Sequence, residues 1–268
     1  MEGRRLSALT RALARACREH MLAEKWLIAP SNRVGFQWLD AVAMSGQPVL
    51  NVRTKTLRHL ALELASPELD RRGLSFLRGA AREVVAATIL ARTRSRAEGY
   101  LTALEPSAGL VRTIDAAILE LRLAGISSRD LDAAAFEVRA KGLETKAMLA
   151  EYEKMLEADH LADHADVLGI AAEHLTANPG AIPEGLVALL PRDLAGEMRA
   201  LERALWEAFP PGSRLLLDID DDVEADIVAE DFNELPKFLE QVRANCRRDQ
   251  NMSAGYFHVH GEFPFQVE

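Results

Sequence analysis

Cysteine is scarce in this sequence, with only Cys17 and Cys246 among 268 residues. The two thiols form no Cys-x-x-Cys pair and no other spacing typical of a metal centre. This usage excludes a disulfide scaffold and a cysteine-based zinc finger, and it is typical of the reducing cytoplasm. We therefore predict a cytoplasmic protein with two structural thiols.

Long apolar runs are absent as well. No segment approaches the ~20 consecutive apolar residues that a membrane-spanning helix requires. Arginines interrupt the stretch from Met1 to His20 every few positions, which is unlike the apolar region of a secretory signal. We therefore expect no membrane partner. Aromatic residues make up only 6% of the chain whereas alanine and leucine abound, and this composition favours helices.

Positive charge is concentrated near the start of the chain. The net charge is −9, yet residues 1–100 hold 17 Lys and Arg against 9 Asp and Glu, while residues 101–268 hold 15 against 32. The basic third suits an anionic partner, although a chance excess of arginine on solvated helix faces explains it equally well. The overall acidity argues against non-specific coating of nucleic acid by the whole surface.

The segment from Lys25 to Ala43 has the pattern of a strand, a polar turn and a helix. Residues 26–29 form an apolar run that predicts a buried strand, residues 30–32 interrupt it, and apolar residues then recur at helical spacing. Phosphates are held on this architecture in α/β proteins. No glycine-rich loop and no Gly-Lys-Ser/Thr triplet accompanies it here, so the usual ligands of a nucleotide are missing.

The remaining patterns predict an α/β core interrupted by helices. The elements predicted on the N-terminal side are a helix over residues 4–22, a strand over 49–52, and a helix over 57–65 that Thr56 caps and Pro67 ends. From about residue 75 to 175 we find only helical periodicity, with no strand pattern. Breaks at Pro106, residues 125–128 and Lys141-Gly142 predict helix ends, and Ser128 is the predicted cap of a new helix. A strand over residues 186–190, a helix over 194–209 and a strand over 214–219 then imply parallel pairing.

This layout resembles the first helicase domain of superfamily 1 helicases of the UvrD/RecB type, and more specifically the N-terminal, helicase-like half of AddB-type subunits of bacterial helicase–nucleases. LIAPSNRVGFQWLDAV resembles the family's strand that ends in polar and basic residues before a helix, and NVRTKTLRHLALELA resembles its strand before a Thr-Leu turn. MLAEYEKMLEADHLADHADVLGIAAEHL resembles its Leu-x-x-Tyr-x-x-x-Leu … Asp-x-x-Asp-Leu segment. The matching residues are Thr56, Leu57, Tyr152, Leu156, Asp163, Asp166 and Leu168.

The chain departs from active helicases at both nucleotide motifs. The helix over residues 4–22 sits where the helix after the phosphate loop should be, but the strand and the Gly-x-x-x-x-Gly-Lys-Ser/Thr loop before it are absent. The second motif of active relatives has adjacent acidic residues after a strand, and only Asp193 is near the matching place here. Without the loop, its lysine and its hydroxyl, ATP and Mg²⁺ have little to bind. We predict no cofactor, no ATPase activity and no nuclease activity in this region.

The resemblance implies a P-loop-NTPase-like parallel-sheet core, formed by residues 1–70 and 180–268, with an inserted all-helical subdomain over residues 75–178. It implies a non-catalytic domain of a DNA double-strand-break repair helicase–nuclease subunit, acting as a scaffold and a guiding surface for single-stranded or end DNA beside a partner subunit. The family continues into a second helicase-like domain and a PD-(D/E)xK exonuclease, so we expect this chain to be a fragment. The alternatives are a protein–protein docking module without DNA contact and a small hydrolase or metal enzyme that uses the His/Asp cluster over residues 159–166.

Six residues are candidates for DNA contact. They are Ser31, Asn32, Arg33, Arg53, Lys55 and Arg58. In active relatives the turn after the first strand touches the single strand, and a helix N-terminus with Arg33 beside it suits a phosphate. Helix capping by Ser31 or Asn32, and solvated charges after the second strand, explain the same residues without DNA. Phe36 and Trp38 are suited to base stacking, but their helical spacing favours the core.

Two groups of histidines raise the question of a metal site. His160 and His164 are spaced i, i+4 for one helix, but no third ligand is indicated and Asp163 is explained as a helix N-cap. His258, His260 and Glu262 alternate on a strand-like run whose polar face needs no metal. The acidic stretch over residues 218–231 has the composition of a solvated loop. We therefore predict no metal site.

Overall fold

The computed structural model describes residues 7–96, 99–101, 103–217, 257–258 and 266–267. The chain divides into two units, Met1–Asp218 and Ile219–Glu268. In the second unit, Phe257–His258 pairs antiparallel with Gln266–Val267, whereas His260, Glu262 and the acidic stretch over residues 218–231 lie outside the described residues.

Short strands and longer helices alternate along the first unit. Its strands are β1 (Lys25–Ile28), β2 (Val52–Lys55), β3 (Ser75–Phe76), β4 (Leu161–Ala162), β5 (Val187–Pro191) and β6 (Arg214–Leu217). Its helices are α1 (Ala8–Glu19), α2 (Asn32–Met44), α3 (Leu57–Arg72), α4 (Ala80–Arg96), α5 (Ala108–Leu123), α6 (Arg139–Ala158), α7 (His164–Ala177), α8 (Arg192–Glu197) and α9 (Ala200–Ala208). No described helix combines the length and apolar character that crossing a membrane requires.

Four of the strands form one parallel sheet in the order β2-β1-β5-β6. The predicted α/β class with a parallel sheet is therefore confirmed. β1 and β5 are central, and every residue of both strands is buried. A parallel strand covered on both faces reads as a continuous apolar run, which is why these two strands are visible in the sequence.

Helices cover both faces of the sheet. On one face, α1 and α2 pack Leu13 and Val42 against Leu27 of β1 and Leu189 of β5. On the other face, α3, α7 and α9 form a larger apolar core with the side chains of β1 and β5 that point the opposite way. This gives the three-layer arrangement that buries a parallel sheet.

A separate apolar core lies among α4, α5 and α6, where Ile89, Ile118 and Leu149 are almost completely buried. The expectation that no strand occurs between residues 75 and 175 is wrong, because β3 and β4 form a short parallel pair in this part of the chain. Helix α7, which the sequence places in the predicted insertion, packs with α3 and α9 in the core of the sheet. An inserted all-helical subdomain over residues 75–178 therefore stays a prediction.

Three predicted boundaries near the sheet differ from those of the structure. Strand β2 begins at Val52, where the sequence predicts the strand to end. Helix α3 continues through Pro67 to Arg72, because Leu64 and Leu69 on either side of the proline are both buried in the core. The helix predicted over residues 194–209 is two helices, with a break between α8 and α9.

Candidate nucleic-acid interface

A cavity opens at the carboxyl edge of the sheet. The chain passes from β1 to β2 on one side and returns to β5 on the other, so the carboxyl ends of β1 and β5 flank a switch point of the kind where α/β proteins bind ligands. The cavity measures ≈ 310 Å³, at the lower end of the range for small-molecule sites. Its polar and turn residues are Pro30, Thr56, Arg58, Glu197, Arg199 and Glu202.

The charges around this cavity balance. Arg58 and Arg199 oppose Glu197 and Glu202. Arg199 donates two hydrogen bonds, each of 2.9 Å, to the carboxylate of Glu120 on α5, and its backbone N–H donates to Glu202 at 3.0 Å. An uncompensated cluster of positive charge, such as a nucleoside triphosphate requires, is not present among the described side chains of the lining.

Arg33 and Arg58 occupy equivalent places in two consecutive strand–helix units. Arg33 is the second residue of α2, which follows β1, and Arg58 is the second residue of α3, which follows β2. Because β1 and β2 are adjacent and parallel, both helices begin at the carboxyl edge. Both arginines are exposed, and neither guanidinium forms an ion pair or hydrogen bond with the residues that the structure describes.

The turn before α2 explains the roles of Ser31 and Asn32. The hydroxyl of Ser31 accepts a hydrogen bond of 3.3 Å from the backbone N–H of Val34, so Ser31 is the N-cap of α2. Asn32 is the first helical residue and is exposed. Thr56 caps α3 in the same way through the N–H of His59, at 3.2 Å, as the sequence predicts.

A close approach fixes α2 against the sheet. A Cβ at Gly35 would lie 2.6 Å from Cγ2 of Thr54 on β2 and 3.1 Å from Cβ of Ala29. Glycine is therefore the residue that lets α2 lie this close to the ends of β1 and β2. Its position sets where the first turn of α2, with Arg33, stands relative to the carboxyl edge.

The two aromatic residues of α2 differ in exposure. Trp38 is half-buried and packs on the core beneath α1 and α2. The expected core position of Phe36 is wrong, because 57% of Phe36 is exposed. Phe36 lies three residues after Arg33, so the two side chains are neighbours on the helix surface.

Arg53 and Lys55 differ from Arg33 and Arg58 because each forms an ion pair with a glutamate. Arg53 pairs with Glu24 through an N–O distance of 3.3 Å, and Lys55 forms a salt bridge with Glu63 on α3. The ammonium of Lys55 also lies 5.0 Å from the ring centre of Trp26. Both cations thus have carboxylate partners, and the structure does not bring them together with Arg33 and Arg58 as a set of free charges.

The remaining nucleotide-motif candidate, Asp193, lies in the first turn of α8 directly after β5. Its side chain is exposed and does not line the cavity. Sequence reasoning overlooked Arg199 and Glu202 at the start of α9. The carboxylate of Glu202 accepts a hydrogen bond from the backbone N–H of Arg199, and a glutamate at the third helical position was the one usable signal of this helix start.

The Tyr…Asp-x-x-Asp spacing forms a buried polar cluster rather than a reactive site. Asp163 is completely buried at the N-cap of α7 and accepts hydrogen bonds of 2.7 and 3.3 Å from Arg122 on α5. Arg122 also donates to Asp166 at 2.6 Å. Tyr152 on α6 belongs to the same buried cluster, and burial together with the charge of Asp163 raises the pKa of the tyrosine.

The histidine pair proposed for one helix is not on one helix. His160 lies in the turn before β4 with a left-handed φ of 51°, and His164 is the first residue of α7. Burial and the nearby Arg58 and Arg82 lower the pKa of His164. No group of three or more His, Cys, Asp and Glu side chains within the described part of the chain is arranged to hold a metal ion.

Comparison with known proteins gives no further guide to this surface. No known protein-family model matches the chain, and no curated protein matches it. The likeness to helicase–nuclease subunits thus rests on the sequence segments and their spacing.

Proposed function

We propose that this chain is a non-catalytic, helicase-like domain that guides single-stranded DNA across the carboxyl edge of its parallel sheet, as part of a DNA-repair helicase–nuclease subunit. The observation that carries the proposal is the equivalent placement of Arg33 and Arg58 at the starts of α2 and α3. Two guanidinium groups without a carboxylate partner among the described residues, on adjacent strand–helix units, suit successive phosphates of one strand.

Phe36 supports single-stranded rather than double-stranded DNA. Its ring is exposed one turn along α2 from Arg33. Non-specific single-strand sites combine cations for the backbone with aromatic rings on which unpaired bases stack. A base stacked on Phe36 would have its phosphate within reach of the first turn of α2.

The proposed domain works without ATP. The cavity at the switch point has two arginines against two glutamates, and the turn from β1 to α2, Ala29-Pro30-Ser31, contains no glycine. The proposed P-loop-NTPase-like ancestry and the inserted helical subdomain account for the order of the elements. ATP hydrolysis is not part of this proposal, and neither is a bound cofactor.

The test is fluorescence anisotropy of a 5′-labelled oligothymidylate titrated with the full chain at several salt concentrations. The wild type is expected to bind at low salt and to weaken with salt. Arg33→Glu and Arg58→Glu are each expected to weaken binding and to reduce the salt slope by about 0.7 for each phosphate that the variant no longer neutralises.

The matched control is Arg129→Glu, which reverses a charge that is also exposed, in the segment between α5 and α6. It should bind as tightly as the wild type if the carboxyl edge is the site. Equal weakening by all three variants, or no binding of the wild type at low salt, would overturn the proposal.

One observation favours the alternative, a protein–protein docking module. Large apolar side chains are exposed at the amino edge of the sheet, at Met21, Leu22, Met44 and Leu50. The segments before β1 and β2 meet where Asn51 Nδ2 donates to the carbonyl of Leu22 at 3.1 Å. Exposed apolar surface of this kind marks interaction sites. Absence of DNA binding at low salt, with binding of a partner subunit that Leu22→Asp abolishes, would establish this alternative.

A further inference from the structure

The ion pair between Arg199 and Glu120 joins the cavity to the helical part of the molecule. Arg199 lines the cavity as the N-cap of α9, and Glu120 lies in the last turns of α5. Nε of Arg199 donates to one carboxylate oxygen of Glu120 and Nη2 donates to the other, each at 2.9 Å. This fork geometry is the one in which arginine also binds a phosphate.

The pair is open to solvent, so it is exchangeable. The Arg199 side chain is 40% exposed and the Glu120 side chain is 53% exposed. Exposed pairs of this kind contribute little to stability. A phosphate that reached the cavity would meet the same donors that Glu120 now occupies, whereas Glu202 is held by the backbone of α9 and stands farther from the guanidinium, at 3.9 Å.

We propose that Glu120 acts as an internal competitor for the DNA backbone, occupying Arg199 until a phosphodiester of single-stranded DNA displaces it. Arg199 then becomes a third cation of the carboxyl edge beside Arg33 and Arg58. This inference rests on the proposed function, because it specifies how the same edge is regulated.

The experiment compares the full-length wild type with Glu120→Gln in the same oligothymidylate titration. Glutamine keeps the shape of the side chain and removes its charge. We expect Glu120→Gln to bind about fivefold more tightly at low salt, with a salt slope steeper by about 0.7. The double variant Glu120→Gln with Arg199→Gln should show neither the tighter binding nor the steeper slope.

The matched control is Glu173→Gln. Glu173 also pairs with an arginine, Arg72, at 3.3 Å on the surface, so this variant removes the same charge without freeing Arg199. Thermal unfolding of every variant checks that each remains folded.

The outcomes separate the two proposals. Equal affinities of Glu120→Gln and Glu173→Gln, while Arg33→Glu still weakens binding, would overturn the competitor role and leave the DNA-guiding surface standing. No binding by the wild type or any variant would overturn both. Tighter binding that is confined to Glu120→Gln and absent from the double variant would establish Arg199 as a phosphate ligand.

Discussion

Arg122 and Asp163 form a forked ion pair at a place where Asp163 has no exposed surface. The pair ties α5 to the first turn of α7, where the side chain of Asp163 also accepts hydrogen bonds from the N–H groups of Ala165 and Asp166, at 2.8 and 3.0 Å. The residues that carry the resemblance in this part of the sequence are therefore explained by architecture. They hold the helices in place and offer no free reactive group.

Asp163→Asn is expected to destabilise the fold strongly. Asparagine retains the capping ability of aspartate, so the substitution isolates the loss of the buried negative charge beside Arg122. Breaking a buried pair by removing one partner costs about 3 kcal/mol. Urea denaturation of the two proteins measures this difference, and the exposed Asp130→Asn is the control. If Asp163→Asn lowered the free energy of unfolding by less than Asp130→Asn does, the result would contradict a stabilising buried ion pair.

The stability supplied by this pair should disappear in acid. Burial alone would raise the pKa of the Asp163 carboxyl, but Arg122 outweighs burial and holds the pKa below its usual range. A depressed folded pKa adds stability that is present above the unfolded value of about 3.9 and is lost as the pH falls through the folded value. The Tm difference between the wild type and Asp163→Asn should be constant near neutral pH and shrink below about pH 4.

Gly35→Ala should destabilise the protein, because α2 lies too close to β2 at this position to leave room for a methyl group. The new methyl group would stand 2.6 Å from Cγ2 of Thr54, and overpacking of this kind costs about 1–3 kcal/mol. The double variant with Thr54→Ser, which lacks Cγ2, should recover part of the loss. Gly169→Ala on α7, where the space is open, is the control and should stabilise by about 0.5–1 kcal/mol. Urea denaturation of the wild type and these variants tests the close approach.

Substitutions of the four basic candidates should fall into two groups by how much they weaken DNA binding. Substitution of Arg33 or Arg58 by alanine should weaken oligothymidylate binding, because both guanidinium groups are exposed at the carboxyl edge. Substitution of Arg53 or Lys55 should change binding little. Arg53 pairs with Glu24, which precedes β1 at the opposite edge of the sheet, and the side chain of Lys55 is only 14% exposed beside Glu63. Anisotropy at one low salt concentration is sufficient. Equal losses in all four variants would mean that the whole basic face is used.

Central strands were predictable because burial on both faces leaves an unmistakable apolar run. β1 and β5 have that pattern. β2 does not, because it lies at the edge of the sheet and its sequence is Val-Arg-Thr-Lys, with only partial burial. The prediction therefore placed this strand on the preceding apolar residues, too early in the chain.

Residues that commonly end or start helices gave wrong helix boundaries where tertiary packing decided the structure. Gly142 was interpreted as a helix end, yet it lies inside α6. Glycine is needed at this position because a Cβ would lie 2.6 Å from the carbonyl oxygen of Ala133. Ser128 was interpreted as the start of a helix, but its backbone N–H and hydroxyl both donate to Glu153 on α6. Arg199 and Glu120 lie 79 positions apart, and no local pattern pairs residues at that separation.

Strand β2 has one further consequence, for the behaviour of the protein in concentrated solution. A parallel sheet with a free edge strand is a template on which strands of other chains can add. β2 is only four residues long and carries Arg53 and Lys55, and short edge strands with basic side chains resist such addition. The two cations that carboxylates hold beside the sheet thus also protect it from edge-to-edge aggregation.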